Sequence, residues 1–355
     1  MILDEEEKIR ELDKGNILGS IRDLPEQVKQ VWEEINKVKL PEDYKRTDNV
    51  VICGMGGSAL GGRIVDCLFT DSLRGSIEVF TGYNVPDYVG PETLLILSSY
   101  SGNTQETLQS AKEARKRNAC SFILASGGKL AEFASKEKLP AYIYNPVHNP
   151  SAQPRMGLGY SLTAILNLMH RCGFITVGED EIEKSVDMMR SLVKEYDVLS
   201  PSNENLAKKL SERLLGKSPI LVASEHLVGS THVFKNQLNE NSKTFATSFD
   251  IPELNHHLME GLSNPRTLKP LLHFIFFTSK LYPENILKRY VLTKEVVEKN
   301  DISAEIFELM GTSKVMQAFE MLVLSSYVSF YLAILYGINP APIPWVDYFK
   351  NKLAE

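Results

Sequence analysis

The sequence predicts an α/β protein made of two doubly wound parallel sheets with helices on both faces. From residue 49 onward, short apolar segments alternate with amphipathic ones, which is typical of strands and helices joined by right-handed crossovers. The alternation stops at a charged stretch, 177–202, and then begins again. With 355 residues, the chain is long enough for two cores of ordinary size.

The predicted elements follow one another in a regular order. Residues 2–37 carry two charged helical patterns with a break at Gly15 to Ser20. In the first half, strands are expected at 50–53, 77–81, 94–98, 121–125 and 141–144, and helices at 58–69, 103–118, 129–138 and 156–171. In the second half, strands are expected at 220–223, 245–249, 272–278 and 304–309, and helices at 231–242, 254–261, 283–299 and 313–336. Prolines extend the tail at 339–344, and a last short helix is expected at 346–353.

The charged stretch between the two series ends in Ser200-Pro201-Ser202. We therefore predict an amino-terminal domain at 1–180, with the first helices and the first sheet, and a second domain at 181–355. Two α/β halves of similar size favour a site between them, because ligand sites form preferentially at domain interfaces.

The composition excludes several classes of partner. The net charge of −6 argues against nucleic acid, because binding to a phosphate backbone needs a basic face. The amino terminus, MILDEEEKIREL, is charged from its fourth residue and does not fit a secretory signal. The uncharged stretch Met321 to Tyr336 is shorter than the roughly 18 residues of a membrane span, so it predicts a buried core helix.

The cysteines indicate the compartment. Four of them lie in apolar segments without CxxC spacing: Cys53, Cys67, Cys120 and Cys172. We expect them to be buried free thiols, as in proteins of a reducing compartment. The sequence thus predicts a cytoplasmic protein that does not act at a membrane.

The stretch Val50 to Phe69 (VVICGMGGSALGGRIVDCLF) joins an apolar strand, a glycine turn and an amphipathic helix. The first N–H groups of a helix have no partner within it, and with the helix dipole they attract an anion. Gly56, Gly57 and Ser58 occupy this turn and are candidate anion-binding residues.

A second strand, turn and helix follow at Leu94 to Ala111, and the turn, SYSGNT, is rich in hydroxyl groups. Its candidate ligands are Ser99, Ser101 and Thr104. One glycine-rich and one hydroxyl-rich turn in the same domain predict a compact phosphate held by backbone amides and hydroxyls.

A dinucleotide site is the main competing interpretation. Gly54-x-Gly56-x-x-Ala59 formally satisfies the dinucleotide fingerprint, and Glu78 lies where an acidic ribose ligand would be expected. Ser58 and the second, hydroxyl-rich turn favour a monophosphate instead, because pyrophosphate binding has no use for them.

Six segments in a fixed order resemble those of a known family. They are GMGGSALGG at 54–62, SYSGNTQET at 99–107, Pro154-Arg155, NENSK at 239–243, PELNH at 252–256 and Tyr348-Phe349-Lys350. The set resembles the bifunctional phosphoglucose/phosphomannose isomerases, which are built from two sugar-isomerase (SIS) domains. The resemblance covers the chain from about residue 45 to its end.

The resemblance implies reversible isomerisation of glucose 6-phosphate or mannose 6-phosphate with fructose 6-phosphate through a cis-enediol, without a cofactor. It implies that the residues of the two turns hold the hexose 6-phosphate by its phosphate group. Glu240 would transfer the proton, Arg155 would lie beside the enediolate oxygens, and Lys350 would assist at the ring oxygen. His256 would open the sugar ring from the partner subunit of a homodimer.

The residue types suit these roles. Removing a weakly acidic C–H proton needs a carboxylate whose basicity is raised by partial burial. An enediolate needs a fixed positive charge, which guanidinium supplies. Ring opening needs a group that donates and accepts protons near neutral pH, as histidine does.

Three alternatives concern a metal, the choice of sugar and the loss of catalysis. The neighbouring pair His256 and His257 suggests a metal site. Adjacent side chains point in different directions, however, and no known metal-ligand spacing surrounds them, so we expect no metal. Ile343 stands where the family commonly has a threonine near the sugar's C2–C3 bond, so the chain could be restricted to glucose 6-phosphate. A non-catalytic sugar-phosphate sensor with the same phosphate turns is the other alternative.

Overall fold

The computed structural model describes residues 2–354, in which the strands form two sheets. The first sheet contains β1 (Asn49–Cys53), β2 (Ser76–Phe80), β3 (Thr93–Ser99), β4 (Cys120–Ala125) and β5 (Ala141–Ile143). Their order is β2-β1-β3-β4-β5, and all neighbours are parallel. Met1 and Glu355, the outermost residues of the two predicted domains, lie outside the described part.

The second sheet is smaller and has the same topology. Its strands are β6 (Ser218–Ser224), β7 (Thr247–Ile251), β8 (Leu272–Ser279) and β9 (Ser303–Leu309). They are parallel in the order β7-β6-β8-β9. The strand order reverses beside the first strand of each sheet, between β1 and β3 and between β6 and β8. Ligands of open parallel sheets bind at the carboxyl ends of the strands at such a point.

Helices cover both faces of the sheets, as predicted. In the first half they are α1 (Glu6–Leu12), α2 (Ile17–Arg22), α3 (Leu24–Ile35), α4 (Gly57–Leu68), α5 (Gln105–Lys116), α6 (Gly128–Glu137) and α7 (Leu158–Arg171). They continue with α8 (Glu179–Tyr196), α9 (Leu206–Leu214), α10 (Val228–Asn241), α11 (Leu258–Gly261), α12 (Glu284–Lys299), α13 (Lys314–Leu335) and α14 (Pro344–Ala354). Because the central strand β3 is covered on both faces, all seven of its residues are buried.

Several predicted boundaries were wrong. The helix predicted at 231–242 begins three residues earlier, at Val228, and the helix predicted at 254–261 is a 3-10 helix, Glu253–His256, followed by α11. The helix α2 begins within the expected break at 15–20, because the Asp13 carboxylate accepts hydrogen bonds from the N–H groups of Ile17 and Leu18 and the Asn16 side chain caps the helix. The expected strand at 245–249 lies two residues later, since Thr244 still donates its N–H to Leu238 at the end of α10.

The apolar segment near the carboxyl end forms a core helix. The helix α13 is long and apolar enough to cross a membrane by length and composition, but 94% of its most apolar window is buried inside the protein. It packs against α8, α9 and α10. The prediction of a core helix at 321–336 is therefore confirmed.

The two halves meet through the helices that follow the first strand of each sheet. A Cβ atom on Gly229, at the start of α10, would lie 2.1 Å from the carbonyl oxygen of Arg63 in the middle of α4. This approach is possible only for glycine. It fixes α10 of the second half directly on α4, which carries the glycine-rich turn.

All four cysteines are free thiols, but they are not all buried. Cys53, Cys120 and Cys172 are buried, whereas Cys67 is half-buried. It shares a half-exposed face of α4 with Arg63 and Asp66, at positions i, i+3 and i+4 of the helix.

Candidate active site

The glycine-rich turn lies at the carboxyl end of β1. Gly56 has a φ of +51°, in the left-handed region that glycine adopts without strain, and it caps α4. A Cβ on Gly57 would lie 2.8 Å from the backbone nitrogen of Arg155 and 2.9 Å from the carbonyl carbon of Pro154. The turn is therefore packed directly against the segment that carries Arg155.

The hydroxyl-rich turn lies at the carboxyl end of the neighbouring strand, β3. The Ser99 and Thr104 hydroxyls are 2.8 Å apart, and Ser99 Oγ accepts the Gly102 N–H at 3.1 Å. Ser101 Oγ accepts the Asn103 N–H at 3.2 Å. Ser99 is 1% exposed, whereas Thr104 is half-buried and Ser101 is exposed. Ser99 thus shapes the turn, while Ser101 and Thr104 face the surface.

Hydrogen bonds join the two turns. Ser58 Oγ accepts the Tyr100 N–H at 2.8 Å, and Ser98 Oγ donates to the Ser58 carbonyl oxygen at 2.8 Å. The structure therefore brings the six predicted phosphate ligands into two adjoining turns at the point where the strand order of the first sheet reverses.

Arg155 is a buried arginine, and each of its three side-chain nitrogen atoms donates at least one hydrogen bond. Its side chain is 1% exposed. Nε donates to Asn241 Oδ1 at 2.6 Å, and one terminal nitrogen donates to Gln153 Oε1 at 2.8 Å. The other terminal nitrogen donates to the carbonyl oxygens of Pro340 and Ala341, at 3.0 and 2.7 Å. The guanidinium plane is thus fixed by three separate parts of the chain.

Glu240, in the last turn of α10, forms an ion pair with Arg155. Its Oε2 lies 3.5 Å from a terminal nitrogen of Arg155, and 29% of its side chain is exposed. Burial raises the pKa of the Glu240 carboxyl, although the charges of Arg155, Lys350 and Lys243 oppose the shift. Burial also lowers the pKa of Arg155, and the charges of Glu240 and Asp347 oppose that shift. The carboxylate is therefore more basic than an ordinary glutamate and accessible from one side.

The carboxyl-terminal segment lies near this pair. The charges of Lys350 and Asp347, both on α14, act on Glu240 and Arg155 respectively. Lys350 itself is exposed, and Ile343, which directly precedes α14, is half-buried. The charge of Lys350 therefore acts on the Glu240 carboxyl, while the role of Lys350 at the ring oxygen stays a prediction.

His256 does not join the group. It is exposed at the end of a 3-10 helix, Glu253–His256, that follows β7. In the described part of the chain, no hydrogen bond or ion pair connects it to Arg155, Glu240 or Lys350. Its neighbour His257 pairs with Glu253 at 2.8 Å. Among residues 2–354, no group of three or more His, Cys, Asp or Glu side chains is arranged to hold a metal ion.

Sequence reasoning missed the residues that hold Arg155 in place. Asn241 receives the Arg155 Nε–H and donates its own amide to Ser329 Oγ on α13 at 3.0 Å. Gln153 Oε1 accepts a hydrogen bond from a terminal nitrogen of Arg155. Both lie within three residues of a predicted site residue, which was the available signal, but only the folded chain shows which atoms they contact.

Comparisons with known proteins identify the fold class. Residues 203–353 match the family model of the bacterial phospho-glucose isomerase C-terminal SIS domain. The crystal structure of a hypothetical protein from Thermus thermophilus has a similar fold, with a TM-score of 0.76 at 18% identity, covering 98% of this chain and 93% of that one. The chain is an α/β protein of the SIS (sugar isomerase) class.

Comparisons of whole sequences identify the family. A bifunctional phosphoglucose/phosphomannose isomerase from Caldicellulosiruptor bescii is 34% identical over 341 residues, which cover 95% of this chain and 98% of the relative. One from Aquifex aeolicus is 30% identical over 326 residues, which cover 91% and 94%. The chain belongs to the bifunctional phosphoglucose/phosphomannose isomerase family, as the sequence motifs predicted.

Proposed function

We propose that the chain interconverts glucose 6-phosphate and mannose 6-phosphate with fructose 6-phosphate by moving a proton between C1 and C2. The observation that carries this proposal is the ion pair between buried Arg155 and half-buried Glu240, beside two joined turns suited to a phosphate. A base of raised pKa next to a fixed cation is what enolisation of a sugar requires.

The phosphate of the substrate binds at the two turns. The backbone at Gly56 and Gly57 begins α4, whose amino terminus favours negative charge. Ser58 uses its oxygen to accept from Tyr100, which leaves its hydroxyl proton for a ligand. Ser101 and Thr104 contribute hydroxyls at the surface of the second turn, and Ser99 holds Thr104 in place.

The proton transfer uses Glu240 on the open-chain aldose. Its carboxylate removes the proton from C2, and the electron pair of the C2–H bond forms the C1–C2 double bond of the enediolate. Arg155 stabilises the negative charge that develops on the oxygen of C1. A proton passes from the hydroxyl oxygen of C2 to the oxygen of C1, and the Glu240 carboxyl delivers a proton to C1 as the C2 oxygen forms its carbonyl bond. The product is the ketose, with no net change in oxidation state and no cofactor or metal.

Ring opening uses His256 from the partner subunit of a homodimer, with Lys350 near the ring oxygen. His256 is exposed, and among the described residues it makes no hydrogen bond or ion pair with Glu240 of its own chain, which supports this arrangement. Large apolar side chains at the surface support a dimer: Phe245 is 74% exposed, Val291 62% and Trp345 81%. We also propose that the protein works in the cytoplasm and that its two domains are 1–180 and 181–355.

A preference for glucose 6-phosphate is the second candidate function. Ile343 supports it, because its apolar side chain cannot hold a hydroxyl or a water near C2 as a threonine can. Comparable turnover of both aldose phosphates would show that Ile343 does not restrict the pocket.

The test is a product analysis. The purified protein is incubated with fructose 6-phosphate without added cofactor or metal, and proton NMR follows the anomeric signals of the products. Formation of glucose 6-phosphate and mannose 6-phosphate supports the bifunctional isomerase, and glucose 6-phosphate alone supports the restricted one. Binding without any product would favour the sensor.

A further inference from the structure

Lys243, the last residue of the NENSK segment, makes three hydrogen bonds just beyond α10. Its ammonium group donates to the carbonyl oxygens of Asn241 at 3.0 Å, Asn339 at 3.2 Å and Pro340 at 3.0 Å. An ammonium group has three N–H donors, so all of them are used. Lys243 also has a φ of +53°, which turns the chain sharply after the helix.

A second cation holds the same part of the tail. The carbonyl oxygen of Pro340 accepts from both Lys243 and Arg155, and that of Ala341 accepts from Arg155. Hydrogen bonds from charged donors are about twice as strong as neutral ones. The backbone at 339–341 is therefore anchored by two charges that belong to the site.

The helix that follows this anchor depends on it. From Pro344 to Leu353, the side chains of α14 are exposed, so burial within the protomer does not fix its position. Yet α14 carries Lys350, whose charge acts on Glu240, and Asp347, whose charge acts on Arg155. The anchored residues, 339–341, lie only two residues before α14, so they constrain where its first turn begins.

We propose that Lys243 is a positioning residue that fastens the carboxyl-terminal segment to the end of α10 and so keeps α14 with Lys350 beside Glu240. We call the hydrogen bonds from Lys243 to the backbone at Asn339 and Pro340 the clamp. The effect of this clamp on catalysis rests on the proposed function. The clamp itself is a property of the fold and can be tested without any substrate.

The clamp weakens at alkaline pH. Lys243 as a whole is exposed, but partial desolvation of its ammonium group, followed by the charge of Arg155, lowers its pKa to about 8, while Glu240 opposes the shift. Arg155 and Glu240 are the charged groups that face it. Because the protonated form donates all three bonds, the clamp is complete below about pH 8 and loses a donor and its charge above that value.

Hydrogen–deuterium exchange of residues 339–354 tests the clamp directly. At pH 7, K243M should raise exchange in this segment about 10-fold, because its side chain keeps the length of lysine but has no donor. K243R should retain most of the protection, and K112M, at an exposed position on α5, should exchange like the wild type. Equal protection of the segment in K243M and the wild type would overturn the proposal.

Kinetics with fructose 6-phosphate test the effect on the site. K243M should lower kcat by about 10- to 100-fold and change KM by less than about 3-fold, since the phosphate turns are untouched. The kcat of the wild type should decline above about pH 8. This decline should be absent in K243M and should move to higher pH in K243R. An unchanged kcat in a K243M protein with a loosened segment would contradict the positioning role.

Two further controls keep the outcomes separate. If the wild type does not turn over fructose 6-phosphate, the proposed function fails, and the exchange experiment still decides on the clamp. If K243M does not fold, exchange of residues 339–354 in K243Q at pH 7 replaces it, because glutamine is too short to reach all three carbonyl oxygens. Equal protection of the segment in K243Q and the wild type would then overturn the proposal.

Discussion

Glu240 and Arg155 form a pair of opposite charges with very different exposure. Arg155 is enclosed and each of its three nitrogen atoms donates at least one hydrogen bond, whereas 29% of the Glu240 side chain faces solvent. A buried pair of this kind contributes little to stability, because desolvation offsets the attraction. Its use is chemical: the burial that raises the pKa of Glu240 also makes it a stronger base.

The pH dependence of kcat should show this raised pKa. The carboxylate is the active form, so activity is full at higher pH and is lost as the pH falls through the raised pKa of Glu240. The acid limb of the wild type should therefore lie above that of an ordinary glutamate.

Arg155 provides the matched pair of variants. Its charge lowers the pKa of Glu240, so R155M should move the acid limb of kcat to still higher pH, and R155K should move it less. Both should lower the maximal kcat, R155M by about 10²- to 10³-fold. An acid limb that stays in place or moves to lower pH in R155M would show that Glu240 is not the titrating base.

At the scale of elements, Gly57 packs against the backbone of Pro154 and Arg155. This contact sets the distance between the glycine-rich turn and Glu240, which pairs with Arg155. The G57A variant would place a Cβ 2.8 Å from backbone nitrogen, so α4 or the Arg155 segment must shift. We expect KM for fructose 6-phosphate to rise at least about 10-fold and the free energy of unfolding to fall by about 1–3 kcal/mol.

The control for this variant is G178A. Gly178 has an ordinary φ of −85°, and a Cβ there would meet no atom within 4 Å. Its KM and its denaturation midpoint should match those of the wild type. Unchanged KM in G57A would mean that the glycine-rich turn does not hold the phosphate.

The start of α9 is held to the amino terminus by a buried lysine. Lys208 is fully buried and donates to the Asp4 carboxylate at 3.0 Å and to the carbonyl oxygens of Val198 and Ser200 at 2.9 and 2.8 Å. K208M leaves these acceptors without that donor and should reduce the free energy of unfolding by about 2–4 kcal/mol.

Urea denaturation measures this loss, with K209M as the control. Lys209 is the next residue of α9 and is only half-buried, so its replacement should change stability by less than about 0.5 kcal/mol. Equal stabilities of the two variants would contradict the structural role assigned to Lys208.

Features with a strong local signal were predictable from the sequence. Both sheets, α4 and the two turns were foreseen, because the apolar periodicity and the glycine and hydroxyl residues that define them are adjacent in the chain. The helix α2 was not, because it depends on a carboxylate at Asp13 that caps it from four residues away. The strand β7 begins two residues later than predicted for a similar reason, because the Thr244 N–H still donates to Leu238 at the end of α10.

The network around Arg155 could not be predicted in this way. Its partners at Asn241 and Pro340 are 86 and 185 residues away in the chain. Contacts between such distant residues depend on how the two halves pack, which local patterns do not encode. The family motifs identified the candidate residues. The structure shows which hydrogen bonds hold the Arg155 side chain in place.

At the scale of the whole molecule, the proposal requires two chains for one site. This can be tested by mixing E240Q and H256A, each expected to be inactive alone, after unfolding and refolding them together. A mixed dimer has one site with both residues intact, so a 1:1 mixture should regain about a quarter of wild-type activity, half the dimers each having one of two sites.

The control is the same mixture of E240Q with R155M. Both residues belong to the same chain's site, so neither site of a mixed dimer is complete and no activity should return. Absence of rescue with H256A would place ring opening in the same chain as Glu240, or assign it to another residue.

The central claim is that Glu240 moves the proton between C1 and C2. The most direct measurement is deuterium incorporation at C2 of the aldose phosphate when fructose 6-phosphate is incubated in D₂O with the wild type, E240Q and E183Q, a control on the exposed side of α8. The wild type and E183Q should incorporate deuterium, and E240Q should lose at least about 10³-fold in rate while still binding the sugar phosphate. Incorporation by E240Q at the wild-type rate would contradict the account.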